Sequence, residues 1–128
     1  MHSKSPTAHL KEALCESAPP VKLVHMLYEG ALRFIGQAER LDPASEGRDF
    51  REKLRRASDI VSELRLALDA SAAPELCGHL TSLYLFVEDQ IQDAQSRGDR
   101  GPLAPATDVL RTLLDGWRGV EANKRRTA

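Results

Sequence analysis

The sequence predicts an all-α fold: an antiparallel up-down four-helix bundle with a short additional N-terminal helix. Three observations predict it. Four long segments carry apolar residues at helical spacing, and no segment shows the strict alternation of a half-buried strand. The links between the four are short, which makes successive helices antiparallel neighbours. A chain of 128 residues buries one core without crosslinks. The expected divisions are a flexible segment over 1–16 that contains the short helix, a bundle over 17–123, and a basic disordered tail over 124–128.

The short helix is expected from Ser5-Pro6, a capping residue followed by proline at the first helical position, with Leu10, Ala13 and Leu14 as a narrow apolar edge. The first long helix is expected from about Pro20 to Arg40. Val24, Tyr28, Ala31, Ile35 and Ala38 form one stripe, and Leu23, Leu27, Phe34 and Leu41 form its neighbour. Together they cover about 180° of the helix, against the ~100° of an ordinary surface helix. That arc is either buried between two neighbours or open to a partner.

Asp42-Pro43 marks a turn, because the residue before proline avoids the α region. The second helix, about Ser45 to Asp69, has the seam Phe50, Leu54, Ala57, Val61, Leu64 and Leu68, spaced alternately four and three apart in the rhythm of a bundle. Ile60 and Ala67 widen it, and Leu66 falls on the opposite face. The third, about Pro74 to Arg97, is expected to bury Leu76, Leu80, Leu83, Val87, Ile91 and Ala94. Tyr84 sits beside that seam, and Leu85 and Phe86 lie off it. Gly98 suits a left-handed C-cap. The fourth, about Leu103 to Asn123, offers Ala106, Leu110, Leu113, Trp117 and Val120, with Pro105 in its first turn.

Composition excludes several functions. With 18 Lys and Arg against 19 Asp and Glu, the net charge is -1, so no concentrated positive field addresses nucleic acid or an anionic membrane. No apolar run reaches the ~20 residues that cross a bilayer, and the polar N-terminus has no secretory h-region. A cytoplasmic protein is expected, with Cys15 and Cys77 as reduced thiols. Neither cysteine lies in a CxxC, and no phosphate loop or nucleophile elbow occurs. A di-metal bundle site requires two Glu-x-x-His pairs, and the nearest approach is a single Glu75 and His79 four apart. His2, His9 and His25 read as surface histidines, Asp59 and Glu63 as a wet face, and Arg97-Gly98-Asp99 as a chance tripeptide. No enzyme activity, cofactor or metal is expected.

What remains is surplus apolar surface: the wide arc of the first helix, and Leu66, Leu85 and Phe86 off their seams. Such a surface suits a helix-in-groove partner.

Specific blocks carry a resemblance. Met26-Leu27-Tyr28-Glu29-Gly30-Ala31, within Pro20 to Ile35, is similar to the opening signature of the flagellin-specific export chaperones, the FliS family. Ala57-Ser58-Asp59-Ile60-Val61-Ser62-Glu63-Leu64, followed by Leu68-Asp69, resembles a second block of that family. Leu80-Thr81-Ser82-Leu83-Tyr84-Leu85-Phe86 resembles a third, and Trp117 falls where the family places a tryptophan. Pro19-Pro20 stands where the family has Ser-Pro, the N-terminal tyrosines are absent, and Ala94-Gln95 replaces an Ala-Asn pair.

The resemblance implies a cytosolic bundle that binds the disordered C-terminal region of flagellin, prevents premature polymerisation and delivers the subunit to the flagellar type III export apparatus. The expected flagellin track is Leu27, Tyr28 and Ala31 on the first long helix, Ile60, Leu64 and Leu68 on the second, and Tyr84 and Phe86 on the third. The alternative is an adaptor or regulator that uses the same bundle to hold a co-chaperone, an export-gate component or an anti-sigma factor.

Overall fold

The computed structural model describes the backbone of residues 21–71 and 73–127 and the side chains of 22–71 and 73–119. The expected N-terminal helix, Cys15, His2, His9 and the Pro19-Pro20 start lie outside these residues. The described chain is all-helical: α1 Val21–Glu39, α2 Gly47–Leu66, α3 Pro74–Arg97 and α4 Leu103–Thr127. Each helix packs on two neighbours, α1 on α2 and α4, α3 on α2 and α4, so the four stand around a square. The short connections make the bundle run up and down.

The boundaries follow local hydrogen bonding. The Asp42 carboxylate accepts the Ala44 amide and the Ser45 hydroxyl, each at 3.0 Å, which holds its pKa below the usual carboxylate range. Ser45 is thereby spent on the turn, and α2 starts at Gly47 instead of Ser45. At the far end of α2, Asp69 accepts the Ser71 amide and hydroxyl at 3.0 and 2.6 Å, a turn that competes with further helix. Gly98 caps α3 in the left-handed region, with φ 61° and ψ 44°, as its position predicts. In the same link the Arg100 guanidinium donates to the Glu39 carbonyl at 3.2 Å and satisfies an orphan group at the end of α1. The α4 backbone is helical through Thr127, past the expected Asn123, so 124–127 continues the helix and does not leave it. Lys and Arg are good helix formers, and their charge suits a helix C-terminus.

The α2 seam is buried as expected from Phe50 to Leu64, with Leu68 half-buried. The α3 and α4 seams are corrected. On α3 the buried row is Cys77, Leu80, Tyr84, Val87, Ile91 and Ala94, while Leu76 and Leu83 are exposed. On α4 it is Leu103, Ala106, Leu110 and Leu114, with Leu113 and Trp117 half-buried.

At the bundle centre Tyr28 of α1 and Tyr84 of α3 meet across the diagonal, ring centroids 6.3 Å apart and tilted by 50°. Their hydroxyls are hydrogen-bonded, and the Trp117 indole N–H of α4 donates to the Tyr28 oxygen at 3.2 Å. Three helices are tied by one polar junction inside an otherwise apolar core. Burial raises the pKa of both phenols.

Tyr28 is the junction residue, so Tyr28→Phe is expected to cost about 1–3 kcal/mol and Tyr84→Phe about 1 kcal/mol in urea unfolding. Because both phenols keep their protons longer when folded, stability is full below the unfolded pKa of about 10 and falls as pH rises above it. These are the chain's two tyrosines. The folded protein is therefore expected to develop tyrosinate absorbance only at a pH well above that of its urea-unfolded form.

Candidate functional site: an apolar furrow between the last two helices

Placing Tyr84 at the centre decides what else α3 presents. Residues one and two positions away along the helix turn outward, and Leu83, Leu85 and Phe86 are exposed by 37%, 43% and 40%. Leu76, seven residues before Leu83, is exposed on the same side of the helix. Phe86, three residues beyond Leu83, extends that row.

Opposite this row, α4 offers Val109, Leu113 and Trp117. One hollow of about 220 Å³ lies between Leu83 and Asp108, Val109, Thr112 and Leu113. A second, about 230 Å³, is lined by Leu76, Leu80, Thr112, Leu113, Gly116 and Trp117. The two share Thr112 and Leu113, so they form one furrow along the α3–α4 seam. Gly116 keeps its wall low: a Cβ added there would meet nothing within 4 Å. Trp117 links furrow and core, with its ring in the wall and its N–H on Tyr28.

The other seams are filled differently. Between α2 and α3 the guanidinium of Arg65 grips Glu88 with two bonds of 2.6 and 3.2 Å, and Gln95 donates to the Arg51 carbonyl at 3.1 Å. The hydrogen bonds from Arg65 to Glu88 raise the arginine's pKa. Between α1 and α2, Ile60 packs over Gly30, where an added Cβ would stand 3.3 Å from its Cδ1, and Arg56 stacks 5.7 Å over the Phe34 ring. The outer face of α2 is a charged lattice in which Arg55 and Arg56 bond Glu52 and hold its carboxyl down to about 2. Asp59 joins this lattice through Arg55 at 3.1 Å.

The eight track residues expected from sequence do not form one surface. Leu27, Tyr28, Ala31, Leu64 and Tyr84 lie in the interior, where they hold the helices together. A partner reaches those five only if the bundle opens. Ile60 and Leu68 are half-buried against the core, Ile60 at the α1–α2 seam. Phe86 alone is an exposed side chain. Leu76, Leu83, Val109 and Leu113 were absent from the expected track. Leu76 and Leu83 follow the leucine-rich row that hydropathy prefers, whereas the phenol of Tyr84 needs a buried partner and turns the neighbouring row inward.

Among the described residues, no three His, Cys, Asp or Glu side chains converge to hold a metal ion. The Cys77 thiol is buried and donates to the Asp69 carbonyl at 3.3 Å, an arrangement that serves the α2–α3 turn. No described helix is long and apolar enough to cross a membrane. The furrow offers shape and apolar area.

Comparison with known proteins gives a consistent result. The family model described as "Flagellar protein FliS" matches residues 3–124. Flagellar secretion chaperone FliSB of Pseudomonas aeruginosa is 30% identical over 112 residues, covering 85% of this chain and 86% of the relative. Flagellar secretion chaperone FliS of Bacillus subtilis is 25% identical over 126 residues, covering 98% and 93%. That of Campylobacter jejuni is 30% identical over 108 residues, covering 82% of each. A crystal structure of a bacterial flagellar chaperone superposes with a TM-score of 0.76 at 24% identity, over 93% of this chain and 99% of that one, and shares its fold.

The rotated α3 register makes a sharp distinction between neighbouring leucines. Leu83→Asp is expected to leave thermal unfolding within about 1 kcal/mol of the parent, because the carboxylate stays in water. Leu80→Asp buries an unpaired charge and is expected to lose more than about 4 kcal/mol, or to leave the chain unfolded by circular dichroism.

Proposed function

The chain belongs to the FliS family of flagellar secretion chaperones, and from that premise we propose that it binds the disordered C-terminal region of flagellin in the cytoplasm. Binding covers the surfaces that would otherwise polymerise early, and the complex delivers the subunit to the flagellar type III export apparatus. The protein acts by holding and performs no chemistry of its own.

The α3–α4 furrow is the observation that supports this reading. A disordered segment of alternating apolar and polar character gains by folding as an amphipathic helix against an apolar track. Leu76, Leu80 and Leu83 supply one wall and Val109, Leu113 and Trp117 the other, with Phe86 exposed one turn beyond Leu83. Of the eight track residues, Phe86 contacts the cargo directly. Ile60 and Leu68 offer the cargo a separate contact away from the furrow, while Leu27, Tyr28, Ala31, Leu64 and Tyr84 hold together the helices that carry both. The cost of ordering the cargo offsets part of the contact energy, which leaves an affinity low enough for release at the export gate.

Titration with a flagellin C-terminal peptide tests the proposal. Leu83→Asp and Phe86→Asp are expected to weaken binding at least tenfold with unchanged far-UV circular dichroism. Gly116→Leu starts a side chain in the furrow wall, where an added Cβ meets nothing within 4 Å, and improves helix propensity by roughly 0.5–1 kcal/mol. It is expected to bind more weakly while melting no lower than the parent. Undiminished peptide binding by all three variants would remove the furrow from the mechanism, and no binding by the parent chain would remove flagellin as its cargo.

A further inference from the structure

A second concave surface lies on a different side of the bundle, between α1 and α4. It is a cleft of about 430 Å³ that has no part in the α3–α4 furrow. Leu32 and Leu114 form its apolar lining, and the guanidinium groups of Arg33, Arg111 and Arg118 surround them. Two carboxylates, Glu29 and Asp115, complete the rim.

The charges are not balanced within the cleft. Arg118 serves both carboxylates, at 3.3 Å from Glu29 across the helices and 3.9 Å from Asp115 along α4. Arg33 and Arg111, both exposed, make no ion pair with any described residue. One arginine therefore satisfies two acids, and two guanidinium groups from facing helices remain over a leucine lining. In a protein of net charge -1 this local excess of positive charge is set by position and not by composition.

We infer that the α1–α4 cleft docks an acidic protein segment, one that presents carboxylates to Arg33 and Arg111 and an aliphatic side chain to Leu32 and Leu114. Charge complementarity selects the class of partner. An arginine fork binds a carboxylate with two parallel hydrogen bonds, and arginine anchors recur where an interface is energetically concentrated. Glu29 and Asp115 select against more densely charged anions. A phosphate dianion placed between them meets two like charges, whereas single carboxylates spaced along a peptide fit between the fixed ones. Since α4 presents the furrow on one side and this cleft on another, an acidic partner binds without displacing the occupant of the furrow.

The probe is a fluorescein-labelled amphipathic peptide of Glu and Leu, with its Glu→Gln counterpart, titrated by anisotropy against the full chain at low and moderate salt. The parent is expected to bind the acidic peptide at least tenfold more tightly than the Gln peptide, and more weakly as salt rises. The double variant R33E/R111E is expected to lose at least tenfold, while R97E, at the remote end of α3, and L83D, in the furrow, stay within twofold of the parent. Should R33E/R111E fail to fold by circular dichroism, R33Q/R111Q carries the same test with an expected loss of several-fold. Equal binding of the two peptides, loss on L83D in place of the arginine variants, or competition by inorganic phosphate as effective as the acidic peptide itself would each overturn the inference. The result is independent of flagellin: failure here leaves the furrow untouched, and failure of the flagellin titration leaves the arginine cleft standing.

Discussion

The bundle is organised around a buried phenol that has to find a partner. Tyr84 is almost fully enclosed, and an unpaired hydroxyl in that position would cost about 1–3 kcal/mol, a large part of what burial of its ring contributes. Tyr28 supplies the partner from the diagonally opposite helix, and Trp117 completes the junction from a third. Meeting that need fixes the rotation of α3 about its own axis. Once Tyr84 points to the centre, Cys77, Leu80 and Val87 follow it inward, and Leu76 and Leu83 turn out toward α4. The apolar furrow is thus the outer consequence of a polar contact in the core.

The same constraint separates stability from binding along a single helix. Residues that anchor the fold and residues that line the furrow alternate on α3 within one turn, so a family motif such as Leu80 to Phe86 contains both kinds. Tyr84 and Leu80 hold the bundle together, whereas Leu83 and Phe86 face outward. The other described seams are closed by different means. Arg65 and Glu88 close α2 against α3 with a two-point ion pair, and Ile60 with Phe34 and Arg56 covers α1 against α2. Across the α1–α4 seam runs an ion pair, Arg118 to Glu29, beside a cleft whose lining is mostly charged.

Much of the fold was legible in the sequence because bundle helices announce themselves by spacing. The α2 seam reads from Phe50 to Leu64 without ambiguity, and α3 begins at Pro74 and ends at Arg97 where proline and Gly98 place it. The furrow was harder to read. On α3 two rows are both compatible with a three-and-four rhythm, and hydropathy alone prefers the one with more leucines. What decides between them is the satisfaction of a hydroxyl by a residue 56 positions away, information that no local window holds. On α4 the choice between Leu113 and Leu114 is of the same kind. The residues in the most recognisable blocks, Leu27, Tyr28, Ala31 and Leu64, are the ones the core consumes, so the motifs that identify the family are poor guides to its exposed surface. Phe86 is exposed, as its place off every seam predicts.

The most direct test of this account is a thiol-protection experiment along α3 with the flagellin C-terminal fragment. In a background with Cys15 and Cys77 replaced by alanine, single substitutions Leu76→Cys, Leu83→Cys, Ser82→Cys and Asp89→Cys are labelled with and without the fragment. Slower labelling at 76 and 83, with 82 and 89 unchanged, is the predicted pattern. Protection at 82 and 89 while 76 and 83 stay reactive would place the cargo on another face and contradict the link between the buried tyrosine pair and the furrow.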